Sequence, residues 1–186
     1  MDAYEPQSGE FPPPDQDPMF RSVPPRHEVG QAVPIVAILG RSSEAVVALR
    51  GITAYSTGFL IEIAARLRTP DLTLDNPRLS SFTFSGHSVT ESTFLIGFEF
   101  PDGTKSTNLD FPNTSRAAPT KLHVDLYRGN GNPSGRDVSW WVWPLPPPTQ
   151  IVLVCRWTAY GIGLARHTLD GDAICRAASR SEDLFA

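Results

Sequence analysis

The sequence predicts an all-β, mainly antiparallel fold: a two-layer β-sandwich, immunoglobulin-like or related, with one short C-terminal helix. Three observations predict it. Short apolar segments recur between turn residues, several of them alternate apolar and polar side chains with period two, and helical spacing of apolar residues emerges only near the end of the chain. A barrel of the same strands is the alternative, and there is no internal repeat.

Residues 1–31 are rich in proline, glutamine and carboxylates, with Pro12-Pro13-Pro14 and Pro24-Pro25, and lack an apolar period. Burial there cannot offset the entropy of ordering, so the stretch reads as a disordered or polyproline-like acidic tail; its functional version is a proline-rich ligand for an aromatic groove. The domain then spans residues 32–186. The apolar run 33–39, closed by Gly40-Arg41-Ser42-Ser43, predicts a strand with 45–49 as its hairpin partner. Phe59, Ile61, Ile63, Ala65 and Leu67 alternate with Glu62, Ala64, Arg66 and Arg68, giving one buried and one wet face, against a competing helix propensity in the same stretch. Phe94, Ile96, Phe98 and Phe100 line one face of the next strand. Pro101-Asp102-Gly103-Thr104 then reads as a hairpin turn, since glycine supplies the positive φ such a turn requires.

Leu122, Val124 and Leu126 alternate with His123, Asp125 and Tyr127, and the glycine-rich stretch 129–135 reads as a flexible loop. Strands over 138–143 and 151–157 are aromatic-rich. The prolines of 144–148 forbid ladder hydrogen bonds between them and predict a crossover from one sheet to the other. Asp170 is placed to cap a helix of about three or four turns carrying Ile174, Ala177, Ala178 and Leu184, with Leu169 set for a hydrophobic staple to Ile174.

Composition narrows the function classes. Cys155 and Cys175 are too few for a disulfide framework and have no redox or zinc spacing, so they read as reduced thiols of a cytoplasmic protein. The start of the sequence lacks the basic-then-apolar pattern of a secretory signal, which leaves Asn113-Thr114-Ser115 as a chance sequon, and no apolar run approaches the roughly 20 residues of a membrane-spanning helix. The net charge is −4, and up to Val33 six carboxylates face only Arg21 and Arg26, so the rest of the chain is formally neutral. A neutral body has no basic field to draw in phosphates, which argues against nucleic acid, and it lacks the repulsion that keeps copies apart, which favours a protein partner or self-association.

The stretch Trp141-Val142-Trp143-Pro144-Leu145-Pro146-Pro147-Pro148, with Leu153-Val154-Cys155-Arg156-Trp157 and Gly161-Ile162 after it, resembles a family of β-rich proteins from high-GC bacteria without an assigned activity. Ala54-Tyr55-Ser56-Thr57-Gly58-Phe59 and Gly97-Phe98-Glu99-Phe100-Pro101-Asp102-Gly103 fit the same resemblance, which covers most of the body and not the tail; Thr149 departs from it, standing where a glycine is expected. Fourteen arginines against Lys105 and Lys121 agree with a GC-rich codon supply. The resemblance implies the β fold and a bacterial cytoplasm, and it implies no catalytic residue.

Few residues suggest chemistry. His123 and Asp125 are two apart on a predicted strand, so both leave the same face, where they are candidates for a metal pair or an oriented acid–base pair; His87, His167 or Glu99 would have to supply a third ligand. The bland reading is the wet face of a half-buried strand. Ser85, His87 and Ser88 cluster, but near neighbours along a chain point apart and no nucleophile elbow is present. The 129–135 stretch lacks the lysine of a phosphate loop and precedes a strand instead of a helix. Trp140, Trp141 and Trp143 give the sharpest expectation. Trp141 and Trp143 share one face of a strand and Trp140 takes the other, so whichever face is not core becomes an interaction surface unless the C-terminal helix or the tail covers it. The expected function is therefore a non-enzymatic protein-interaction or structural module without catalytic residues or cofactor, the alternative being a small metal-binding protein or metal-assisted enzyme built on His123 and Asp125. A small-ligand-binding sandwich is a third possibility.

Overall fold

A computed structural model describes residues 23–73, 76–82, 90–110 and 122–186 of the chain. Its larger sheet holds β2 (Gln31–Val33), β3 (Ala37–Arg41), β4 (Ala45–Ala54), β5 (Phe59–Leu67), β8 (His123–Asn132) and β9 (Gly135–Trp143), in the order β2/β3–β4–β5–β9–β8. Its smaller sheet runs β11 (Ile162–Asp170), β10 (Gln150–Trp157), β6 (Leu95–Glu99), β7 (Lys105–Thr107). A third pairing joins β1 (Glu28–Val29) to β12 (Glu182–Asp183), and every pairing is antiparallel. The two larger sheets face each other, so the expected sandwich is the fold.

Period-two patterning explains the core. Val47, Leu49, Ile52, Phe59, Ile61, Ile63, Val138, Trp140 and Val142 descend from the larger sheet onto Ile96, Phe98, Ile151, Leu153 and Trp157 of the smaller one. The sheets are tied at both lateral edges: the His167 imidazole hydrogen-bonds the Leu39 carbonyl at 3.0 Å on one side, and the Ser106 hydroxyl donates to the Leu122 carbonyl on the other. One end is filled by an aromatic cluster in which Phe82 and Tyr160 lie 4.9 and 4.4 Å from Trp157, whose indole N–H donates to Ser81. The short helix α1 (Pro77–Ser80), capped by the Asn76 side chain, buries Leu79 against that cluster.

The opposite end is closed by α2 (Gly171–Ala178). Asp170 accepts from the backbone N–H of Asp172 and Ala173, as its position predicts, and Leu169 and Ile174 are both buried. The helix is shorter than its apolar spacing suggests. It ends at Ala178, and Leu184 is exposed beyond it, because Glu182–Asp183 pairs instead with Glu28–Val29.

Other differences have equally local causes. The 33–39 run is not one strand but two, interrupted at Pro34, which has no N–H to give to a ladder. The 129–135 stretch is not a loop: Gly129 to Asn132 pair with Gly135 to Val138 across a tight turn at Pro133-Ser134. Strands β1 and β2 begin within the stretch read as tail, because Glu28 is drawn to Ser56 and Val29 to β12 by contacts that composition does not announce. Strand β11 was not singled out in the sequence, since its outward residues are mostly exposed and its inward positions short of bulk. The 144–148 prolines do cross between the sheets, carrying β9 of one to β10 of the other.

Replacing fully buried Trp157 by alanine is expected to cost about 3–5 kcal/mol of stability, against about 1 kcal/mol for Asp170→Ala at the cap of α2. Urea denaturation of the two variants beside the parent checks both the order and the sizes.

Candidate functional site

Strand β9 lies between β5 and β8, and its register sorts the tryptophans. Trp140 sits opposite Ile61 and Leu126, in the row that faces the smaller sheet. It is 1% exposed and belongs to the core, so it is unavailable as a contact residue. Trp141 sits in the alternate row, opposite Leu60 and Asp125, and Trp143 lies opposite His123. These side chains leave the sheet on its outer face. Helix α2 packs between the sheets against β2, β4 and β10, so among the described residues no helix or strand lies across this outer face.

Trp141 is nevertheless fully buried. The Tyr55 ring meets it edge-on at 5.8 Å, and Gly58 leaves room for it: a Cβ there would stand 2.7 Å from the indole and 2.5 Å from the Val142 carbonyl. The His123 ring stacks on Trp143 at 5.2 Å and 21°. Tyr127, 40% exposed, rises at the bulge where β8 slips its pairing with β9, and the Arg128 guanidinium sits 5.3 Å from the centre of its ring. The result is a built aromatic layer with a tryptophan floor.

Apart from Arg128 and the His123 imidazole, the charged groups around this layer are carboxylates. Burial pushes the Asp125 carboxyl above its ordinary range, opposed by the His123 charge and by the Trp143 indole N–H, which faces the carboxylate but falls short of hydrogen-bond geometry. The Tyr55 hydroxyl is also pushed up, first by burial and then by Tyr127 and the carboxylates of Glu28 and Glu62. Glu28 is fixed by the Ser56 backbone N–H at 2.9 Å and by its hydroxyl. Carboxylates elsewhere on the sheets are neutralised twice over: Asp137 by Arg66 at 2.7 Å and Arg50 at 3.1 Å, Glu99 by Lys105 at 3.0 Å and Arg166 at 3.2 Å. Among the described residues, Glu62 and Asp125 have no arginine or lysine within ion-pair reach.

The structure thus brings together His123, Asp125, Trp141 and Trp143, and separates them from the other residues considered for chemistry. Glu99 lies on the smaller sheet with its two cations, and His167 is engaged with Leu39. Ser85, His87 and Ser88 lie outside the described residues, as does Asn113. Among the described residues no group of three or more His, Cys, Asp or Glu side chains is gathered to hold a metal, so His123 and Asp125 stand as a pair without a third ligand. In the sequence Glu62 and Tyr127 are only alternates within their strands, and Tyr55 belongs only to the 54–59 stretch. Nothing in their own segments places them beside Trp141, since that neighbourhood is made by pairing β4, β5, β9 and β8 in one sheet.

No family model, no curated protein and no solved structure matches this chain. The likeness at the 141–148 stretch accordingly carries no family assignment.

Because burial raises the Asp125 carboxyl, the folded chain holds that proton more tightly than the unfolded chain, and the ionised form costs stability at neutral pH. Asp125→Asn is expected to raise the thermal midpoint at pH 7, with the gap to the parent closing as the pH falls through the carboxylate range. Thermal scans at a series of pH values measure this, and a variant less stable than the parent at pH 7 would contradict it.

Proposed function

We propose that this protein is a non-enzymatic β-sandwich module of a bacterial cytoplasm that docks a protein partner on the outer face of its larger sheet. The observation that carries the reading is Tyr127, 40% exposed on the face turned away from the core, with the stacked His123 and Trp143 rings on the same face and the buried Trp141 indole beneath. Large aromatic side chains at the centre of a patch and a polar rim are the composition of protein-binding surfaces. A sheet needs only one face to make a core. Exposed aromatic rings on the second face, with the Asp125 carboxylate beside them, fit recognition.

Other features support the rest of the reading. Cys155 and Cys175 are unpaired, and burial pushes the Cys155 thiol up to about 12, which suits a reducing compartment. No described helix is long and apolar enough to cross a membrane. The formal neutrality of the body gives it no field for nucleic acid.

The test is affinity capture with the full chain from native lysate, run in parallel with Tyr127→Ala and with the His123→Ala/Trp143→Ala double variant. The expected outcome is a partner retained by the parent and depleted about tenfold or more by the variants, the effect of removing a central aromatic contact. A captured set that is identical for the parent and both folded variants refutes docking at this face.

A further inference from the structure

Resting on that reading, we propose that the outer face recognises guanidinium groups: its partner presents an arginine-rich segment whose side chains lie over the Tyr127 and Tyr55 rings, between the carboxylates of Glu62 and Asp125.

The charge pattern singles out this spot. Asp137 and Glu99, two other carboxylates borne on the two large sheets, each have two cations of the chain in contact. Glu62 and Asp125 carry charge beside aromatic faces and, among the described residues, have no such cation. A negative rim around electron-rich rings attracts cations and repels anions, and a planar guanidinium satisfies ring face and carboxylate together better than a compact ammonium does.

Strand geometry sets the span. Asp125 and Glu62 are separated by the width of β9 and one step along it: Asp125 pairs with Trp141, and Glu62 with Ser139 two residues further on. Two inter-strand spacings and one two-residue step place their backbones roughly 12 Å apart. That distance suits two side chains of one extended segment, with Tyr127 beside Asp125 and the Tyr55 ring against Trp141 at the end of the patch.

The chain supplies its own sample of the contact. The Arg128 guanidinium stands 5.3 Å from the centre of the Tyr127 ring, so the ring already accepts this group from one side. The charge of the leader argues against it as the occupant, since residues 1–22 hold five carboxylates and only Arg21. A second copy of the chain is the competing occupant, because Arg50, Arg66 and Arg136 lie further along the same sheet.

The experiment titrates the full-length protein with a hexa-arginine peptide, following tryptophan fluorescence and calorimetry, with hexa-lysine and hexa-glutamate peptides as controls. Saturable binding of hexa-arginine is expected, weaker binding of hexa-lysine, and none of hexa-glutamate. Glu62→Gln with Asp125→Asn should weaken hexa-arginine by about tenfold, as should Tyr127→Leu, while Tyr127→Phe keeps parental affinity because the ring is retained. Arg128→Gln should strengthen binding, since it frees a ring face and removes a like charge. Equal affinity across parent and variants, or no binding at all, overturns the proposal. So does reversible self-association in sedimentation that Tyr127→Leu abolishes, which assigns the face to a second copy. If the face variants lose a captured partner that hexa-arginine fails to displace, docking at this face stands and guanidinium recognition falls.

Discussion

The register of β9 is the constraint on which the rest of this structure depends. The strand carries large apolar residues on both faces, and it is paired on both sides, with β5 through Phe59↔Val142 and Ile61↔Trp140, and with β8 through Val124↔Val142 and Leu126↔Trp140. A slip of one residue would exchange the faces, driving Trp141 and Trp143 inward and Trp140 and Val142 outward. The interior filled by Ile61, Leu153 and Trp157 has no room for that exchange, because close-packed cores resist even small changes in volume. Gly58 adds a second lock, since only a residue without Cβ lets the neighbouring backbone and the Trp141 indole approach as they do.

With the register set, the outer face follows. Trp141 takes the outer face, where the Tyr55 ring meets it edge-on and Gly58 lets it approach the backbone, while His123, Asp125 and Tyr127 stand on the neighbouring strand. The arrangement buries a carboxyl whose charged form is disfavoured there, held against that penalty only by the His123 ring and an indole N–H. The same face further along is laced by Arg50, Arg66 and Asp137 into an ordinary solvated surface. The two halves therefore differ: one is internally neutralised, the other carries Glu62 and Asp125 beside aromatic rings.

The ends and edges of the sandwich explain why, among the described residues, no helix lies over that face. Helix α2 is committed between the sheets, where Ile174, Ala177 and Ala178 join the core, and α1 supports the Trp157 cluster at the other end. The proline-rich crossover passes directly from β9 to the smaller sheet.

Local chemistry in the sequence determined much of this. Period two announced β5, β6 and β8, Asp102-Gly103 announced the β6–β7 hairpin with Gly103 at φ 82°, the prolines of 144–148 announced the crossover, and Asp170 announced the cap of α2. His123 and Asp125 on one face, and Trp141 and Trp143 on one face, also followed from alternation alone. What alternation cannot supply is which face is interior, because an isolated strand with indoles on both sides is the same object either way up. Only pairing across the sheet decided that Trp140 faces the core. Only pairing brought Tyr55 and Glu62, which lie far from Trp141 along the chain, to its side. Strand identity is written in neighbours one and two residues apart, whereas a surface on a sheet is written across strands, in contacts that exist only once the chain has closed on itself.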